Sequence, residues 1–216
     1  MKNYILLIVI SGLLLTTGCA RTVTTKTTGN QIVFNITFNG SVDATVNRYY
    51  IVLATVPTVV PYASAIAKEY FFAPGEIYNQ DNFGVNTLEA YYDNYFSHWM
   101  DFVTLQNNTF YITNGNFTSF EAHNSYFSKR VFVSSKDSTL SKQLTFTLFF
   151  TYLSQTPAKL YFNILSVDSN GYLRDSLDQA DSSFSTNTGT VVTVSDPVHP
   201  DVVPGLDILN CQIAVQ

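Results

Sequence analysis

The clearest pattern along the chain is an alternation of apolar and polar residues from Gln31 to Asn39. The alternating apolar positions are Ile32, Phe34, Ile36 and Phe38. Asparagine or threonine occupies most of the positions between them. Successive side chains of a β-strand point to opposite faces of a sheet, so a period of two predicts a strand with one face buried.

Further short apolar or alternating stretches predict more strands, at Arg48–Thr55, Glu69–Phe72, Thr109–Thr113, Arg130–Ser134, Gln143–Tyr152, Lys159–Val167, Gly189–Ser195 and Ile208–Val215. Turn signals such as Asn39-Gly40 and Asp168-Ser169-Asn170-Gly171 separate several of them. Many short strands with frequent turns are typical of an antiparallel β-sandwich of the immunoglobulin or fibronectin-like kind. The sequence therefore predicts a mainly β fold in one domain, residues 31–216.

Some connections between these strands are also predicted. The first two strands are expected to form either a hairpin or a sandwich corner, because Asn39-Gly40 favours a turn. Gln143–Tyr152 and Lys159–Val167 are expected to pair with each other, since neighbouring strands in sequence often pair. Asp175–Thr188 is polar and is predicted to be a loop.

One segment has a helical period instead. From Asn86 onward, apolar residues recur at the three- and four-residue spacing of an amphipathic helix, at Leu88, Tyr91, Tyr92, Tyr95, Phe96, Trp99, Phe102 and Val103. Asn86 followed by Glu89 forms a capping-box pattern that marks the start. The end is left open, since HWMDFVTL could instead enter a strand. We expect this helix within an insertion spanning about residues 57–124.

The chain begins with a leader-like segment. Lys2 precedes an apolar run from Tyr4 to Leu15. A transmembrane helix needs about 20 apolar residues, so this run is too short to span a bilayer and has the length of a signal-peptide core. Two cleavage sites compete: one before Cys19, and one after Ala20, where Gly18-Cys19-Ala20 satisfies the small-x-small rule.

The stretch LTTGC, ending at Cys19, resembles the lipobox of bacterial lipoproteins, although Thr16 stands where that family usually has leucine. The resemblance implies a signal peptide at 1–18, acylation of Cys19 and a polar tether at 19–30. Ala20 stands after the cysteine, where aspartate holds similar lipoproteins at the inner membrane. The implied location is the outer membrane or cell surface, with the lipid as the contact to the membrane.

Composition and charge narrow the choice of partner. Charged residues make up 12% of the chain and aromatic residues 15%, which favours strands over helices. Without residues 1–18 the chain keeps 10 basic and 16 acidic residues, and this acidic balance disfavours nucleic acid as a partner.

If Cys19 is acylated, Cys211 has no disulfide partner and is predicted to be a small buried residue on a strand.

Candidate chemistry is sparse. His98 and Asp101 are one helical turn apart and could form a general-base pair, although a surface histidine explains the same position. The turn at Asp168 matches only part of a calcium-binding loop. The loop acids Asp175, Asp178 and Asp181 are a minor alternative for calcium. Nucleophile motifs and phosphate-binding glycine loops are missing from the sequence, so we expect no metal, no cofactor and no enzyme.

The aromatic residues Tyr91, Tyr95 and Trp99 are the main candidates for ligand binding, because exposed rings stack on sugar faces. Their helical spacing equally indicates packing onto a sheet. The expected function is therefore a lipid-anchored binding or scaffolding domain without catalysis, with a glycan or an envelope protein as partner. A carbohydrate-binding module is the alternative, and a cell-envelope hydrolase is the third interpretation.

Overall fold

The computed structural model describes residues 27–57, 70–76, 92, 96–115, 117, 129–136, 140–177 and 182–216. This part of the chain is mainly β and forms two antiparallel sheets, as the sequence predicts. Its strands are β1 Gln31–Val42, β2 Arg48–Ala54, β3 Asp101–Gln106, β4 Thr109–Asn114, β5 Val131–Ser135, β6 Ser141–Phe149, β7 Lys159–Val167, β8 Leu173–Ser176, β9 Ser183–Ser185, β10 Val191–Ser195 and β11 Ile208–Val215.

The smaller sheet has the strand order β10-β11-β1-β6. The larger sheet has the order β5-β4-β3-β2-β7-β8, and β9 pairs with β7 outside this path. The two sheets share one apolar core, to which both contribute side chains, so the architecture is sandwich-like. Within this core the rings of Phe34 and Phe146 stack with centroids 4.9 Å apart.

The period of two explains why β1 lies where it does. From Ile32 to Phe38 every second side chain is fully buried, and the residues between them are half-buried. β1 lies between β11 and β6, so its backbone hydrogen bonds are made on both edges while its apolar face covers the larger sheet.

After Arg48, every residue of β2 is buried, because both faces of the strand are covered. Tyr49, Ile51 and Leu53 face the core between the sheets. Tyr50 and Val52 face a second apolar cluster on the opposite face of the larger sheet, which we call the outer cluster. Its buried members are Tyr50, Val52, Ala54, Phe71, Phe72, Ala73, Tyr92, Phe96, Trp99, Phe102, Phe117, Leu165 and Val167.

Of the two alternatives for the end of the predicted helix, entry of HWMDFVTL into a strand is correct. Asp101–Gln106 is strand β3, and Phe96–His98 before it forms a 3₁₀ turn, while Tyr92 has an α-helical backbone. Phe102 packs in the outer cluster and Val103 in the inter-sheet core, so a strand buried on both faces satisfies the same apolar positions. Apart from Tyr92, residues 86–95 lie outside the described residues. Among those described, no helix is long and apolar enough to cross a bilayer.

Four predictions about connections change. β1 does not turn at Asn39-Gly40 but continues to Val42, and the chain then crosses to the other sheet, which makes the corner correct and the hairpin wrong. β6 pairs with β1 and β7 with β2, so these consecutive strands do not pair with each other. β9 lies within the predicted loop 175–188, and β3 and β4 form part of the larger sheet although they fall within the span 57–124.

One predicted strand and the boundary of the tether also differ from the structure. The predicted strand at Glu69–Phe72 reduces to a single bridge between Tyr70 and Tyr172, with Glu69 outside the described residues. The last residues of the predicted tether already belong to the domain, because Gly29 donates to the carbonyl of Thr186 at 2.9 Å.

Candidate functional site

The sandwich has two ends, which the strand directions define. We call the end at which the chain enters the tether end, where the amide of Gln31 donates to the carbonyl of Gln216 at 3.1 Å. We call the opposite end the distal end, where β1 and β10 finish and β11 begins. The eight residues of β11 separate the two ends by about 25 Å.

Three carboxylates and one imidazole converge toward the distal end, and we call them the Asp–His cluster: Asp175, Asp196, His199 and Asp207. Asp175 lies on the edge strand β8 of the larger sheet, and Asp196 directly follows the edge strand β10 of the smaller sheet. The crossing from β10 to β11 contains the other two residues. The cluster therefore forms where an edge of each sheet meets this crossing.

The side chains approach one another closely. One ligand atom each from Asp175, Asp196 and His199 all lie within 4.8 Å of one another. His199 Nδ1 lies 3.2 Å from Asp175 Oδ1 and 3.8 Å from Asp207 Oδ1. The imidazole is 32% exposed, whereas all three aspartates are buried, so the histidine forms the solvent-facing side of the cluster.

Backbone amides hold two of the carboxylates in place. Asp175 Oδ2 accepts a hydrogen bond from the Ile208 amide at 2.6 Å, which joins β8 to the start of β11. Asp207 Oδ1 accepts one from the His199 amide at 3.2 Å, and its Oδ2 accepts one from Asn39 Nδ2 at 3.0 Å. These contacts preorganise the crossing around the cluster.

Burial also changes the acidity of the cluster. Removal from water raises the pKa of Asp175 to about 6, because a buried charge loses hydration. The hydrogen bond from the Ile208 amide and the nearby His199 act in the opposite direction, and the Asp196 carboxylate adds to the rise. The cluster thus concentrates negative charge at a place where that charge is costly.

The cluster opens onto a groove of about 350 Å³, lined by Leu173, Arg174, Asp175, Ser176, His199, Pro200, Asp201 and Val202. Arg174 is the basic residue of this lining. Its guanidinium makes an ion pair with Asp168 at 2.7 Å. Because His199 lines this open groove, a small ligand or ion can reach the imidazole from solvent.

Trp99, the aromatic binding candidate that the structure describes, is buried. Trp99 is only 3% exposed and packs in the outer cluster, with its ring 5.0 Å from that of Phe96. A buried ring has no free face for a sugar, so the packing interpretation applies to Trp99 and the ligand-binding prediction does not. Tyr91 and Tyr95 lie outside the described residues.

Asp101 has a structural role rather than that of a general base's partner. Its carboxylate is fully buried and accepts hydrogen bonds from Asn114 Nδ2 at 2.8 Å and from the Ser154 amide at 3.0 Å. Burial raises the pKa of Asp101, since it disfavours the charged form. The other proposed member of the pair, His98, is exposed.

The segment Asp168–Gly171 is a turn. Asp168 Oδ1 accepts hydrogen bonds from the amides of Asn170 and Tyr172, at 2.8 and 3.0 Å. Gly171 has a φ of 87°, which favours glycine. The turn interpretation therefore explains these residues better than a calcium loop.

The four remaining candidates have different outcomes. Asp178, Asp181 and Cys19 lie outside the described residues. Cys211 is fully buried on β11, which confirms the prediction of a small core residue. Burial raises the pKa of its thiol to about 12.

Three members of the Asp–His cluster are not predicted from the sequence, namely Asp196, His199 and Asp207. They lie in DPVHPDVVPGLD, where irregular spacing matches no metal-binding motif. The available signal was a histidine and several acids in a short crossing between two strands. Asp175 was considered for calcium, but only the fold brings it to this crossing.

Comparisons with known proteins identify no relative: no protein-family model, curated protein or solved structure significantly matches the chain.

Proposed function

We propose that the chain is a lipid-anchored protein of the bacterial cell envelope whose β-domain is a non-catalytic binding or scaffolding module. In this proposal residues 1–18 are the signal peptide, and Cys19 carries the acyl chains that hold the protein at the outer membrane or cell surface. The partner is a small ligand or another envelope component that meets the domain at its distal end.

The observation that carries the proposal is that the candidate site and the N-terminal entry of the chain lie at opposite ends of the domain. The chain enters at the tether end, whereas the Asp–His cluster and its groove lie toward the distal end. Two or three acyl chains at Cys19 would anchor the protein stably, because each buried methylene contributes about 0.8 kcal/mol. An anchor on this side leaves the groove directed away from the lipid.

The cluster itself favours binding over catalysis. Backbone amides fix the carboxylates of Asp175 and Asp207, which suits the holding of a ligand in one geometry. The sandwich-like body provides a rigid support for such a site. We also propose that the body belongs to the immunoglobulin or fibronectin-like kind, which is supported by two facing antiparallel sheets with β1 and β2 crossing between them.

The lipid anchor is tested in a bacterial host that processes lipoproteins, with a clickable palmitate analogue. We expect label on the wild-type chain and on Cys211→Ala, and none on Cys19→Ala. Density separation should place the wild type with the outer membrane and release Cys19→Ala from it. Mass spectrometry showing an unmodified N-terminus at Arg21 would refute the anchor, because it would mean cleavage after Ala20.

A further inference from the structure

We propose that Asp175, Asp196 and His199 bind one divalent first-row transition-metal ion. Zn²⁺ is the ion used to test this proposal. This inference rests on the proposed function, since it names the ligand of that binding module. Metal binding requires no lipid, so the two proposals are tested separately.

The first argument is convergence. One potential ligand atom each from Asp175 on β8, Asp196 after β10 and His199 in the crossing lie within 4.8 Å of one another. Zinc binds nitrogen and carboxylate oxygen at about 2.0 to 2.2 Å, so ligand atoms on one ion are separated by roughly 3 to 4 Å. Small side-chain rotations therefore bring all three atoms onto one ion.

The second argument is charge. Asp175, Asp196 and Asp207 are each more than nine-tenths buried, and the His199 imidazole lies beside Asp175 and Asp207. Closely spaced buried carboxylates repel one another. Either protonation of a carboxylate or a bound cation offsets this repulsion. Among the charged residues lining the groove, Arg174 is already ion-paired with Asp168.

The third argument is donor type. Calcium and magnesium prefer oxygen ligands throughout, whereas an imidazole together with carboxylates suits zinc and neighbouring transition metals. The Asp207 carboxylate accepts a hydrogen bond from the backbone amide of His199 and thereby positions the loop that carries this imidazole ligand. Such supporting contacts are characteristic of metal sites. The solvent-facing side of His199 leaves room for water to complete the coordination.

The test uses the full chain purified in detergent, stripped with a chelator and titrated with ZnCl₂ against a chromophoric zinc chelator. We expect one high-affinity ion per chain. His199→Ala and Asp196→Asn should each weaken zinc binding by about tenfold or more. The matched controls His98→Ala and Asp43→Asn, the latter at a carboxylate that accepts hydrogen bonds from Thr45 outside the groove, should stay within about twofold. Wild-type binding that survives both site variants, or no binding at all, would overturn the proposal.

Two further measurements keep the test decisive. Circular dichroism in excess chelator establishes that each variant is folded, and the near-isosteric Asp196→Asn is the variant best suited to preserve the fold. X-ray absorption at the zinc edge of the wild type should show oxygen and nitrogen ligands with imidazole scattering. Sulfur ligation, absent imidazole scattering, or tighter binding of CaCl₂ than of ZnCl₂ would contradict the assignment.

Discussion

Glu76 joins the outer cluster to the larger sheet, and its replacement by glutamine should destabilise the protein. Its Oε1 accepts a hydrogen bond from the Tyr50 hydroxyl at 2.6 Å. Its Oε2 accepts hydrogen bonds from Arg48 Nη1 at 3.0 Å and from the Ala73 amide at 2.9 Å. Arg130 Nη2 lies 3.9 Å from Oε1. The carboxylate thus serves several donors in a site that is almost closed to water.

The magnitude follows from what glutamine cannot do. Its carbonyl oxygen replaces one carboxylate oxygen, but its NH₂ group cannot accept from Arg48 or from the Ala73 amide. Losing a charge-assisted hydrogen bond costs about 1.5 to 3 kcal/mol, and a buried donor left unsatisfied costs about 1 to 3 kcal/mol. The Arg48 side chain is 22% exposed and regains some hydration, so we expect a loss of about 3 kcal/mol.

Trp99 provides the assay, because it is the only tryptophan in the chain and lies in the outer cluster. Urea unfolding followed by its fluorescence should show the midpoint of Glu76→Gln lowered by roughly 1 to 2 M, given a slope of about 2 kcal/mol per M. The exposed control Asp201→Asn should leave the midpoint almost unchanged.

A double-mutant cycle with Tyr50→Phe separates the pair from its surroundings. Because Tyr50 and Glu76 share a short buried hydrogen bond, we expect a coupling energy of about 1 kcal/mol or more between the two substitutions. A Glu76→Gln variant within about 0.5 kcal/mol of the wild type would refute the reasoning, since that is the usual effect of a surface substitution.

The remaining predictions concern the core, the thiol and one ion pair. Phe34→Ala should lower the free energy of unfolding by about 3 to 5 kcal/mol in chemical denaturation, while Phe149→Ala, at a side chain 46% exposed, should cost much less. In a Cys19→Ala background, Cys211 should react with a thiol reagent only after unfolding, because its pKa is raised to about 12 and it is buried; rapid labelling of the native protein would contradict this. Burial alone would raise the pKa of Asp168, but its hydrogen bonds and ion pair lower it below 3.8. The stability that Asp168 contributes relative to Asp168→Asn should therefore be complete above about pH 5 and decline as the pH falls through its folded-state pKa, in urea titrations at several pH values.

Much of the fold could be predicted, because a strand with one buried face has a local signature. The alternation around Phe34 located β1, and the apolar run after Arg48 located β2. The same local reasoning could not decide between helix and strand for residues 101–103, since β3 is buried on both faces and its apolar positions coincide with helical spacing. Periodicity identifies which faces are buried only when one face remains polar.

The sequence by itself determined that the fold is mainly β and that Cys211 is buried. It also gave the hypothesis of a leader that ends near Cys19. Only the tertiary structure decided that β1 and β2 lie in different sheets, that Trp99 is buried in the outer cluster, and that the Asp–His cluster exists. The physical reason is that periodicity is a property of neighbouring residues, whereas strand pairing depends on how distant segments cover each other's apolar faces. Asp175 and Asp207 are far apart in sequence, and the joining of β8 to the start of β11 brings them together.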